Sequence, residues 1–144
     1  MPAPEGLDLS FPEDGGCFGC SPSNAAGLRL RFRREGSRVR TTARIADHFH
    51  GAPGVVHGGI VATLLDEVSC AAAIFVADRR VVTGELTVRY ERPVPVEEAI
   101  ELVAELTARH HPRYAEITAE VRRDGTRLAR STGKFFYHDH EIAP

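Results

Sequence analysis

One stretch of this sequence constrains the fold more than any other. From Gly58 to Val76 the chain is alanine-rich and apolar on nearly every helical face, interrupted by Asp66, Glu67 and Ser69. It is too long for an ordinary strand, so it reads as a helix that another element must wrap. The three polar residues argue against a membrane span. No other segment is a comparable helix candidate, and what could wrap this one is sheet.

The sheet is written in period-two alternation on both sides of the helix. Leu28 to Phe32 and Arg38 to Ile45 read as a hairpin around a turn at Glu35-Gly36. After the helix, Val82, Gly84, Leu86, Val88 and Tyr90 alternate with Thr83, Glu85, Thr87 and Arg89 until Pro93 and Pro95 end the strand. Ile100 to Leu106 forms another strand, stopped by His110-His111-Pro112, and Tyr114–Arg123 and Leu128–Tyr137 flank the turn pair Asp124-Gly125. The expected architecture is α+β: five or six antiparallel strands around one long helix.

A chain of 144 residues has room for one such domain. We divide it into a Pro/Gly/Ser-rich lead-in, residues 1–26, packed on the domain through Leu7, Leu9, Phe11 and Phe18, and a domain at 27–144 that ends in a solvated tail from His138 to Glu141. The formal charge of −2 offers no global field for nucleic acid or anionic lipid. The three cysteines are too few and odd in number for a disulfide scaffold, and the N-terminal residues lack a basic region followed by an apolar stretch. These features lead us to expect a cytoplasmic protein without nucleic-acid or membrane partners.

The chemistry concentrates where the helix begins. Gly58 and Gly59 allow close approach by a ligand, and first-turn N–H groups lack intrahelical acceptors, which suits an oxyanion hole. The same pair could simply turn the chain. Asp66 and Glu67 follow mid-helix about 100° apart, so at least one lies near the buried side and must be paired or shifted in pKa. His57 is a candidate base or a capping residue. The absence of a Gly-x-Ser-x-Gly elbow disfavours a serine triad.

Cys17-x-x-Cys20 is half of a tetrahedral metal site, and His48, His50, His57, His110 or His111 could complete it only in space. Two thiolates without third and fourth ligands make a poor structural site, so we expect no metal. Arg29, Arg31, Arg33, Arg34, Arg38, Arg40 and Arg44 crowd the first hairpin. They are either a wet sheet face or a mouth that attracts coenzyme A phosphates.

The run Phe49-His50-Gly51-Ala52-Pro53-Gly54-Val55-Val56-His57-Gly58-Gly59-Ile60-Val61-Ala62-Thr63-Leu64-Leu65-Asp66-Glu67 closely resembles the signature of hotdog-fold acyl-CoA thioesterases of the phenylacetate-degradation type. Cys17 to Leu30 is similar to the lead-in of one branch of that superfamily. The resemblance implies a hotdog fold and acyl-CoA hydrolysis without a cofactor. It further implies that the Gly58 amide polarises the thioester carbonyl, that Asp66 activates water or attacks directly, that Thr83 places the water, and that His57 supports the loop. Gly59, Gly51, His50, Glu67 and Thr63 are then expected to line the substrate, and the apolar helix an acyl tunnel. Relatives carry asparagine where this chain has Gly51, so His50 is a candidate replacement. The resemblance also implies a homodimer with shared sites, often paired into a homotetramer. A noncatalytic module binding acyl-CoA or a small hydrophobic ligand is the competing reading, and a dehydratase the third.

Overall fold

The computed structural model describes residues 2–9, 15–108 and 111–138. Its elements are β1 (Asp8–Leu9), β2 (Phe32–Glu35), β3 (Arg38–Arg44), a short 3-10 turn (Asp47–Phe49), α1 (Gly58–Ala77), β4 (Val81–Tyr90), β5 (Ala99–Ala108), β6 (Tyr114–Arg123) and β7 (Thr126–Tyr137). Phe11, His110 and the tail beyond His138 lie outside the described residues.

The strands form one sheet in the order β1-β2-β3-β5-β6-β7-β4, every neighbouring pair antiparallel. This is the hotdog arrangement, with seven strands rather than five or six. The extra strand is β1, two residues of the lead-in paired with β2, too short to show a period. α1 lies against the sheet and buries Leu64, Leu65, Val68, Ala71 and Ala72 completely, opposite Phe32, Leu102, Ile117 and Phe135. By length and composition α1 could cross a bilayer, with a mean hydropathy of 1.9. The three polar residues therefore do not disqualify it. Its apolar face is spent on the sheet instead.

Three local features shape the chain around the site. The first hairpin turns at Gly36-Ser37 rather than Glu35-Gly36, and β2 begins only at Phe32 because Arg29 sits at φ +52. Leu28 and Leu30 bond instead to the carbonyls of Phe18 and Gly19, which docks the lead-in on the domain. Ala3 N–H donates to Phe75 O at the far end of α1. Leu9 packs against the core and the Phe18 ring sits edge-on against Phe49, centroids 6.0 Å apart, whereas Leu7 remains largely exposed, contrary to expectation.

The third feature is a bulge in β4. Thr83 pairs with Phe135 and Glu85 with Lys134, so Gly84 is an extra residue. A Cβ at Gly84 would collide with the Phe136 ring, which explains the glycine. Strict alternation would put Thr83 on the face opposite Leu86 and Val88. The extra residue shifts the phase, and Thr83 turns back toward α1.

Candidate active site

The first turn of α1 has a defined set of donors. His57 caps it, accepting the Gly59 N–H on Nδ1 at 2.9 Å, while Ile60 and Val61 donate to the His57 carbonyl. The Gly58 amide has no acceptor among the described residues. Tyr90, on β4, donates its hydroxyl to Gly58 O at 2.7 Å and packs its ring beside Gly58. Beside that amide opens a groove of about 390 Å³ lined by Gly51, Val56, His57, Gly58, Tyr90 and Pro93. A free amide at a positive helix end beside a cavity can polarise a carbonyl oxygen.

Two turns along the helix, Asp66 Oδ1 accepts the Thr83 hydroxyl at 2.6 Å. The pairing exists because the bulge aims Thr83 inward. Asp66 is half-buried on a stripe with Ala62, Thr63, Cys70 and Ile74, none of which the chain's own sheet covers fully. Cys70 Sγ lies 3.7 Å from Thr83 Oγ1, and burial pushes its thiol pKa up.

Other expected substrate contacts are committed elsewhere. Thr63 donates to Gly59 O within the helix, and the Gly59 amide is taken by His57. The His50 ring turns to Asp47, its Nδ1 2.6 Å from the Asp47 carbonyl, so it does not replace a side chain at Gly51. A Cβ at Gly51 would stand 3.2 Å from His57 Cα, so the loop closes tightly against the cap. His57 uses Nδ1 as a cap acceptor, which removes that nitrogen as a base. Of the apolar helix side chains expected to line an acyl tunnel, Leu64, Leu65 and Val68 are buried in the core, whereas Ala62 and Ile74 are half-buried on the Asp66 stripe.

Glu67 points away from Asp66, toward the cysteine loop. Cys17 Sγ lies 3.7 Å from Glu67 Oε1, and the two thiols and the carboxylate gather within 4.8 Å. Burial, then the charge of Asp66, holds the Glu67 pKa above its ordinary value. Beside the two cysteine sulfurs α1 thus brings a third potential ligand group, the Glu67 carboxylate. A tertiary contact between residues 50 positions apart leaves no signal in spacing.

The arginine hairpin lies toward the opposite end of the sheet from β4. Arg33 pairs with Asp8, Arg34 with Glu5, Arg38 with Glu105, and Arg40 with Glu35 and Glu101. Four of the seven hairpin arginines thus have an acidic partner, while Arg29, Arg31 and Arg44 form no ion pair among the described residues.

Residues 53–130 match the family described as the thioesterase superfamily. An acyl-coenzyme A thioesterase of Xenopus laevis is 39% identical over 49 residues, 34% of this chain and 22% of that protein. The chain thus matches about a fifth of that curated relative's length. Among solved structures, a thioesterase superfamily protein aligns with a TM-score of 0.73 and 31% identity over 80% of this chain and 60% of its own. A phenylacetic acid degradation-related protein of Ralstonia eutropha aligns at a TM-score of 0.69 and 21% identity, covering 82% of this chain and 92% of its own. That last likeness speaks for the fold alone.

Proposed function

Since the chain belongs to the thioesterase superfamily, we propose that it hydrolyses acyl-CoA thioesters at sites shared between two subunits. The observation that carries this reading is the Thr83–Asp66 hydrogen bond at 2.6 Å on the same helix as the unpaired Gly58 amide. The acyl-coenzyme A thioesterase relative supports the substrate class.

The Gly58 amide and the helix N-terminus receive the negative charge that develops on the thioester oxygen. Asp66, its Oδ1 held by Thr83, takes a proton from water through Oδ2. The water oxygen attacks the carbonyl carbon, the C–S bond breaks, and the proton passes to the coenzyme A thiolate. Asp66 as a nucleophile forming an anhydride would use the same geometry. In a single turnover in ¹⁸O-labelled water the general-base route puts the label in the product acid, whereas water attack on the aspartyl carbonyl of an anhydride puts it in Asp66 and leaves the product unlabelled.

Gly58 and Asp66 are eight residues apart in α1, or about 12 Å along its axis. A thioester carbonyl and its attacking water need contacts of roughly 3 Å to donor and base. One helix cannot supply both. Two antiparallel helices about a two-fold axis can, with Gly58 of one subunit opposite Asp66 of the other. The half-buried stripe of α1 and the outer edge of β4, where Val82 and Tyr90 are exposed, supply the surface for this homodimer. A homotetramer would pair two such dimers. We assign the protein to the cytoplasm.

The test is complementation. Gly58→Pro deletes the donor at a helix position that tolerates proline, and Asp66→Ala deletes the acid. Each should be nearly inactive alone. After joint unfolding and refolding, about half the dimers are mixed and carry one intact site, giving about a quarter of parental activity. Folded, demonstrably mixed variants that stay inactive reject the shared site, and an active monomeric parent rejects it outright.

A second reading is favoured by Gly51, which offers no side chain to a bound carbonyl: a noncatalytic module for acyl-CoA or a small hydrophobic ligand. A panel of short, medium, long and aromatic acyl-CoAs with free-thiol detection decides. Micromolar binding without turnover across the panel would select the module.

A further inference from the structure

Three features outside the proposed chemistry invite explanation: the arginine groove, the apolar edge of β4, and the cluster of Cys17, Cys20 and Glu67. Of the five arginines lining the groove, Arg33 and Arg40 are acid-paired and Arg29, Arg31 and Arg44 are solvent-exposed, as on a wet sheet face, and the β4 edge belongs to the dimer already proposed. The cluster remains, and it has the marks of a built site.

Its loop is fixed before any ligand arrives. Ser21 N–H donates to Cys17 O, Leu28 N–H to Phe18 O and Leu30 N–H to Gly19 O, so the main chain holds both cysteines on the side facing α1. Cys20 is buried at 4% exposure, whereas Cys17 is exposed. Gly19 lies directly over Glu67, and any Cβ there would collide with the Glu67 Cγ and Cδ. With glycine at 19 the loop reaches the carboxylate without displacing the Glu67 side chain.

The carboxylate is also incompletely satisfied. Glu67 Oε1 is 3.7 Å from Cys17 Sγ, while Oε2 is shielded from solvent and has no hydrogen-bond partner among the described residues. An unpartnered carboxylate oxygen is costly to bury, and a cation is a natural partner for it. Two cysteine sulfurs and a carboxylate oxygen match the preference of a borderline-soft divalent metal.

We propose that Cys17, Cys20 and Glu67 form a three-ligand site for a divalent zinc-type cation, with the fourth position open to water on the Cys17 side. The three ligand atoms lie within 4.8 Å of one another. Tetrahedral zinc with metal–sulfur bonds of about 2.3 Å holds its two sulfurs about 3.8 Å apart, a separation inside that limit. The cation clamps the lead-in loop to the middle of α1, one residue from Asp66. Its role is to hold the loop, since Glu67 leaves the helix about 100° around from Asp66 and its Thr83 partner.

Cobalt(II) tests this in the whole reduced protein, because cobalt bound to thiolate gives an intense near-ultraviolet charge-transfer band. One equivalent should produce the band, zinc(II) should abolish it, and zinc should protect Cys17 from iodoacetamide. Cys17→Ser and Cys20→Ser should remove the band, Glu67→Gln should weaken affinity at least tenfold, and Cys70→Ser should leave the band in place. If a serine variant does not fold, alkylation protection in the parent protein still decides. Absence of the band and of protection overturns the proposal, as does equal cobalt affinity in folded Glu67→Gln, which would remove the carboxylate from the ligand set.

Discussion

Asp66 and Glu67 are consecutive carboxylates on one helix, yet their surroundings have little in common. Asp66 looks toward β4 and receives a hydroxyl hydrogen bond from Thr83. Glu67 looks toward the lead-in, where thiols and a glycine meet it and one oxygen has no described partner. A rotation of about 100° separates them. That rotation sends one acid to the face where the thioesterase chemistry is proposed and the other to a loop anchored on the helix. The comparison teaches that proximity in sequence does not make two acids a functional pair. What each faces decides its work.

The largest effect should come from Asp66→Asn, which keeps the shape and removes the base. We expect at least a hundredfold loss of kcat on acyl-CoA with an unchanged circular dichroism spectrum, about 3 kcal/mol of barrier. Activity within tenfold of the parent would erase the functional distinction between the two acids. Thr83→Val comes next. It removes the hydroxyl that orients Asp66 and should cost about tenfold in kcat, or about 1.4 kcal/mol, with little change in KM. A KM effect alone would make Thr83 a substrate contact instead.

Gly19→Ala probes the other side. The new Cβ displaces the flexible Glu67 side chain, so we expect about 1 kcal/mol of destabilisation by denaturant melt, together with weaker cobalt binding. Unchanged cobalt affinity would show that Glu67 needs no close approach by the loop. The smallest effect belongs to Tyr90→Phe, which deletes one exposed hydrogen bond to Gly58 O and should cost about 0.5 kcal/mol in a thermal melt. A cost several times larger would make Tyr90 the main support of the helix N-terminus.

The sequence exposes most of the fold because its periods are strong. α1 ends within a residue of the apolar run, and Asp124-Gly125 sits in its turn with φ values of +50 and +78, as the residue pair demands. β4 shows where such reading fails. Its alternation assigns Thr83 to the outward face with Glu85, and only the pairing with β7 reveals that Gly84 resets the phase. The resemblance implies a role for each of Asp66 and Thr83 at one water, but the hydrogen bond between them follows from neither the resemblance nor the periodicity. The cysteine loop illustrates a second limit: Glu67 and Gly19 are joined by tertiary contact, and nothing local in either segment announces the other.

The position of β4 has a consequence for how the molecule comes to exist. β4 follows α1 directly in the chain, but its sole partner in the described sheet is β7, with β5 and β6 in between. During synthesis Asp66 and Thr83 emerge early and close together in sequence, yet the strand that holds Thr83 has no ladder until β7 has been made. The bulge that aims Thr83 is itself a property of that ladder. Non-local pairing of this kind slows folding and leaves apolar surface waiting. The Asp66 side of the helix thus gains its Thr83 partner only once β7 has been made, the same strand that brings Ala129 and Phe135 to the core.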